Sequence, residues 1–233
     1  MAAPAFSAVG SLTSISNTQS VTRPSVSDGD VMLLVLVGAY GDADITAPAG
    51  WTEIQAIDQE SAFEPELRVY YKVASSEPST YSITIAGQGG GNNFGTATVV
   101  AFTGANTGTP VDVSASQRNT SSSTSAQCPS VTTTQADTLL VAVYLTTNNG
   151  ASTWTPPSGM TEQLDSRVTP DGHALGIATE TIAASGATGT RTATSTVSAA
   201  SLGVSIALAP SGGGGGGGGQ PPRSMHLSRL MRA

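Results

Sequence analysis

One unit is written twice in this chain, and the duplication restricts the fold more than any single motif. The first copy starts Asp30-Val-Met-Leu-Leu-Val-Leu-Val and reaches the turn Pro48-Ala-Gly-Trp-Thr-Glu53. The second starts Asp137-Thr-Leu-Leu-Val-Ala-Val-Tyr-Leu and reaches Pro157-Ser-Gly-Met-Thr-Glu162. The copies lie 107 residues apart at the aspartates and 109 at the glutamates, which places a two-residue insertion in the loop between. An acidic start, an apolar run and a Pro-x-Gly turn recurring in order mean that both copies share one supersecondary unit.

That unit is made of strands. Val31–Ala39 is apolar throughout and rich in β-branched residues, the pattern of a strand buried on both faces. Leu67–Ala74 alternates, with Leu67, Val69, Tyr71 and Val73 on one face and Arg68, Tyr70 and Lys72 on the other. Tyr81, Ile83 and Ile85 alternate with Ser82 and Thr84, and Thr96–Thr103 is a further apolar strand. In the second copy Leu139–Leu145 matches Val31–Val37, Ala174–Ile182 the Leu67 strand, Thr188–Thr196 the Tyr81 strand and Leu202–Ala209 the Thr96 strand. About six short strands per copy predict an all-β protein, an antiparallel β-sandwich of jelly-roll or immunoglobulin-like type built from two repeats. Two tandem sandwiches and one larger pseudo-symmetric sandwich both fit. The second copy has small residues where the first has Tyr and Ile, so it is marginal alone and contact between the halves is expected.

Five segments follow: 1–112, the first repeat with its N-terminal strands; 113–130, a Ser/Thr-rich connection; 131–210, the second repeat; 211–222, a Gly/Pro linker; and 223–233, a C-terminal peptide. The linker holds eight consecutive glycines, which lose too much backbone entropy to fold and predict a flexible tether. Beyond it, Arg223, Met225, His226, Leu227, Arg229, Leu230, Met231 and Arg232 interleave apolar and basic side chains, as a docking arm for a partner would.

Charge excludes several functions. The net charge is −7 with a single lysine, Lys72, and becomes −10 without the three arginines of the arm, so nucleic acid is not expected as a partner. The longest apolar run is too short to cross a bilayer, and the first ten residues carry no secretory pattern. Cys128 is the sole cysteine and has no basic neighbour to activate it.

Chemistry is hard to assemble. His173 with Asp171 sits in a tight-turn sequence without a nucleophile elbow or zinc-ligand cluster. Asp28, Asp30, Asp42 and Asp44 lack EF-hand spacing, and Glu60, Glu64 and Glu66 have no separation that sequence fixes. No catalytic residue, metal or cofactor is therefore expected. Trp51 is replaced by Met160 in the second copy, as a core position would allow. Trp154 has no counterpart in the alignment and reads as an exposed aromatic suited to glycan contact.

At Asp30-Val-Met-Leu-Leu-Val with Pro48-Ala-Gly-Trp-Thr-Glu, Leu67-Arg-Val-Tyr-Tyr-Lys-Val-Ala with Glu77-Pro-Ser-Thr-Tyr, and Val99-Val-Ala-Phe-Thr-Gly with Thr109-Pro-Val-Asp, the chain resembles β-sandwich modules of bacteriophage head-decoration, fibre and minor tail proteins and of some bacterial surface proteins. The likeness spans about Ser27 to Pro210 and carries no catalytic residue across. It implies a protein displayed on a particle or cell surface; the single lysine, the Ser/Thr-rich surface, the lack of a secretory pattern and the unpaired Cys128 fit a virion structural protein, a capsid decoration or fibre component assembled in the host cytoplasm and displayed on the particle surface. Its partners would be other virion proteins and further copies of itself. The alternative is a carbohydrate-binding adhesin or minor tail protein that contacts the host surface.

Overall fold

The computed structural model describes residues 2–38, 44–58, 65–87, 94–146, 153–167 and 173–212. Asp42, Glu60, Glu64, Asp171 and the 223–233 arm, all named above as candidates, lie outside them. Strands and no helix are found among the described residues. The first repeat contributes β1 (Ala5–Val9), β2 (Thr13–Ser16), β3 (Thr18–Thr22), β4 (Val31–Gly38), β5 (Asp44–Thr46), β6 (Thr52–Asp58), β7 (Glu66–Val73), β8 (Thr80–Ala86) and β9 (Phe94–Thr103). The second contributes β10 (Val111–Cys128), β11 (Thr132–Thr133), β12 (Thr138–Thr146), β13 (Trp154–Thr155), β14 (Thr161–Arg167), β15 (Ala174–Ile182), β16 (Gly186–Ala187) and β17 (Arg191–Leu208).

Antiparallel pairs nest inside one another: β2 with β9, β3 with β8 and β4 with β7. A long hairpin rolled up in this way is a jelly roll. The second repeat nests β10 with β17, β11 with β16 and β12 with β15. The large sheets run β1-β9-β4-β7-β6 and β10-β17-β12-β15-β14, the same order repeat for repeat. Even the irregularities recur. A bulge interrupts β6 between Glu53 and Gln55 and β14 between Glu162 and Leu164, and another interrupts β1 between Phe6 and Ala8 and β10 between Val111 and Val113.

The two large sheets pack face to face. Val31, Leu33, Val35 and Val37 of β4 share a core with Leu139, Val141, Val143 and Leu145 of β12, joined by Val69, Phe102, Ile177 and Ile206. Side chains alternate across a strand, so Met32, Leu34 and Leu36 point the other way, onto Tyr81, Ile83 and Ile85 of the small sheet β3-β8-β5. On the far side Leu140, Ala142 and Tyr144 meet Cys128, Val131, Trp154 and Ala193. Four layers result, and every residue of β4 and β12 is buried.

Pairing bears out the match of Leu139–Leu145 to Val31–Val37 and corrects that of the two aspartates. Val31 lies opposite Val73 and Phe102, as Leu139 lies opposite Thr181 and Leu208, so the strands correspond at a spacing of 108. Asp137 therefore takes the place of Gly29, not Asp30. Both occupy the left-handed region, at φ 57° and 91°, where Asp is among the few side chains tolerated. Thr138 takes the buried place of Asp30.

Two further expectations change. Residues 113–130, read as a connection, are largely strand β10, whose Ser/Thr side chains show no apolar period because the strand lies at a sheet edge and is held by its ladder with β17. Thr188–Thr196 and Leu202–Ala209, read as two strands, fall largely within one strand, β17, which passes between layers through register shifts opposite Ser123 and Ser125.

Because one core serves both halves, we expect one cooperative unfolding transition. Trp51 and Trp154 report separately on the two repeats, so single-tryptophan variants should melt together. Leu33→Ala should destabilise both signals equally, by about 2–5 kcal/mol. Separated transitions would show that the halves unfold independently.

Candidate functional site

What the two copies hold in common is scaffold, so a specific site is sought where they differ. Three differences stand out: the layer behind Trp154, a charged cluster on β6 and β7, and the seams where the edge of one large sheet lies over the edge of the other.

Trp154 is not an exposed aromatic. It is 6% exposed, and its ring lies 5.6 Å from that of Tyr144. With the Pro-x-Gly turns aligned at Gly50 and Gly159, both at positive φ, Trp154 falls on Ile45, a core residue of β5. It is held there because Gly176 leaves room: a Cβ on Gly176 would stand 2.8 Å from Trp154 Cδ1. The first repeat fills the same region differently, with Arg68 and Tyr70 where the second has Gly176 and Ala178. The remaining crevice beside the ring holds about 10 Å³, room for a single water and no sugar.

Arg68 and Tyr70 belong to the charged cluster. Arg68 donates through Nε to Glu66 Oε1 at 2.6 Å and through Nη1 to Glu53 Oε2 at 3.4 Å. Asp58 binds Arg118 Nη2 at 2.8 Å, tying β6 of the first repeat to β10 of the second. Glu66 is 5% exposed, and burial raises its pKa against the opposing pull of Arg68. A carboxyl shifted upward suits a general acid. Here it is spent on an arginine beside it in the same strand, the arrangement of a buried ion pair.

A second network closes the β7–β8 turn. Glu77 accepts from Lys72 Nζ at 2.7 Å, Tyr81 Oη at 2.6 Å and the Ser75 N–H at 3.1 Å. Burial alone would raise its pKa, but these bonds outweigh it and hold the carboxyl below its ordinary range. The counterpart of Lys72 is Glu180, which accepts from Arg191 Nε at 2.7 Å, an ion pair of opposite polarity in the same layer.

Other candidates from the sequence have structural roles. Asp30 caps its own turn by accepting from the Ser27 N–H, and Asp28 accepts from the Ser76 N–H, both at 2.8 Å. No group of three His, Cys, Asp or Glu positioned for a metal occurs among the described residues. Cys128 is fully buried, donates to the Val143 carbonyl, and burial pushes its thiol up to about 12, so it is unreactive at neutral pH. Burial lowers the pKa of His173, against a hydrogen bond with the Thr146 backbone.

The seams were not foreseen. At the first, β6 lies over β10, and Ile54, Tyr71, Val73 and Val111 pack onto the shared core. At the second, β14 lies near β1, and the corresponding positions are Gln163, Thr179, Thr181 and Phe6. Ile54, Tyr71 and Val73 have given way to an amide and two small hydroxyl side chains, and a groove of about 270 Å³ opens there. The signal was present in the sequence as the thin apolar inventory of the second repeat; which faces meet at the seam was not.

Gly176→Ala should cost about 1–3 kcal/mol, the usual penalty of overpacking, and should displace Trp154, seen as a shift of its fluorescence in a Trp51→Phe background. A neutral result would mean that the ring is not held where described. For Glu77, a depressed folded-state pKa supplies stability that is present above the unfolded-state pKa and lost as pH falls through the folded-state value. Glu77→Gln should thus be less stable by about 1–3 kcal/mol at neutral pH, with the gap narrowing in urea titrations below about pH 4. A gap independent of pH would remove the carboxylate as its cause. Compared with known proteins, the chain matches no family model, no curated protein and no solved structure.

Proposed function

We propose that this chain is a structural protein of a bacteriophage virion, a capsid decoration or fibre component displayed on the particle surface. The observation that carries the proposal is the duplicated body, in which β4 and β12 are buried on both faces and the repeats share one core. Such a body spends its apolar residues on stacking sheets and presents small hydroxyl side chains outward, as along Thr120–Ser125 of β10. Among the described residues Asp28, Asp30, Glu66, Glu77 and Glu180 are engaged in turns and ion pairs, which supports a scaffold over an enzyme.

Strands β6 and β14 end their sheets and pair on one side only among the described strands, as does β10. Edges of this kind favour side-by-side association, so we assign the protein to a homo-oligomer. Residues 223–233, basic and apolar on an acidic body, anchor it to a capsid or tail partner. Assembly takes place in the host cytoplasm.

Mass spectrometry of purified particles tests the proposal. A decoration protein is expected in high copy and a fibre or tail component in low copy; absence from particles whose parent lysate contains the chain would overturn the assignment. A chain ending at Ser211 should fold normally and fail to join particles. Normal incorporation would rule out the arm as the anchor.

A further inference from the structure

We infer that the groove at the second seam, between β1 and β14, is a binding site for a neutral saccharide, taking one pyranose ring.

The groove exists because of three substitutions between the repeats. Tyr71 and Thr179 hold the same place, opposite Leu33 and Val141, and Val73 and Thr181 hold the next, opposite Val31 and Leu139. Ile54 and Gln163 are the bulged residues of β6 and β14. In the first repeat this set packs onto the core; in the second it leaves about 270 Å³. Loss of apolar filling at a sheet–sheet seam forfeits burial without gain to the scaffold. A recess left unfilled there has the character of a site.

Its lining selects the ligand. Phe6, Pro4 and Leu139 form an apolar side, and the Phe6 ring is fixed edge-on against Phe102 at 6.3 Å. Facing them are Thr161, Gln163, Thr179 and Thr181, whose hydroxyl and amide groups both donate and accept. Gln163 Nε2 donates to Thr179 Oγ1 at 2.9 Å, which orients the amide before any ligand arrives. A pyranose has the matching character: a ring of hydroxyls around two C–H faces. Anionic ligands are disfavoured by the acidity of the chain, while Glu180, which also lines the groove, is paired with Arg191. The volume lies just under the roughly 300 Å³ at which sites for drug-sized molecules begin, the scale of one ring.

This inference does not rest on particle location, so the two proposals fail separately. The test is methyl and side-chain amide NMR of the full chain, titrated with the methyl glycosides of glucose, galactose, mannose and N-acetylglucosamine. At least one is expected to shift the Gln163 amide and the methyls of Thr161, Thr179 and Thr181, saturably. The variant Gln163→Ile with Thr179→Tyr and Thr181→Val installs the first-repeat side chains; it should fill the groove, retain or raise thermal stability, and weaken binding by about tenfold or more. Thr179→Val, which keeps the shape and removes one hydroxyl, provides the same test by a milder change. Absence of shifts with all four glycosides, shifts confined to other surfaces, or binding undiminished in both variants would overturn the proposal.

Discussion

Burial of β4 and β12 on both faces is the constraint from which the rest of this structure follows. A strand with one apolar face needs one covering layer; a strand apolar throughout needs two. Val31, Leu33, Val35 and Val37 find their second cover in the other repeat, against Leu139, Val141, Val143 and Leu145. The remaining residues of each strand, such as Leu34 and Leu140, are covered by the repeat's own outer strands. One repeat alone would expose half of this central strand to water, which is why a single folding unit is expected of the duplicated sequence.

Within that frame the repeats exchange volume more freely than position. Arg68 and Tyr70 in one become Gly176 and Ala178 in the other, and Trp154 in place of Ile45 takes up the space released. The Lys72–Glu77 ion pair is answered by Glu180–Arg191 with the charges interchanged. Close packing explains the first exchange, because an interior tolerates changed shapes only when the total filling is kept; the second keeps opposite charges paired whichever strand carries which sign. At the second seam the filling is not kept. Gln163, Thr179 and Thr181 stand where Ile54, Tyr71 and Val73 seal the first, and this departure from the rule singles the groove out.

Strands with a clear period were legible in the sequence. Val31–Gly38, Glu66–Val73, Thr80–Ala86 and Thr138–Thr146 are observed close to where alternation or a continuous apolar run placed them. Strand β10 was not, because an edge strand of Ser and Thr owes its conformation to the ladder with β17 and carries no periodic signature of its own. Trp154 was misjudged for a related reason. Its environment depends on the absence of a side chain at Gly176, 22 positions away, which no local pattern records. The alignment by aspartates slipped by one residue because a left-handed turn position accepts either Gly29 or Asp137, and similarity of letters favoured Asp30.

By itself the sequence determined that the chain is all-β, duplicated and acidic, since strand periodicity, repeat spacing and charge are properties of local order and composition. The tertiary structure alone decided that the two copies stack through a common core, that Trp154 lies inside, and that one seam is sealed and the other open. These outcomes depend on which side chains meet across sheets, and such contacts join residues far apart in the chain whose sizes have meaning only against one another.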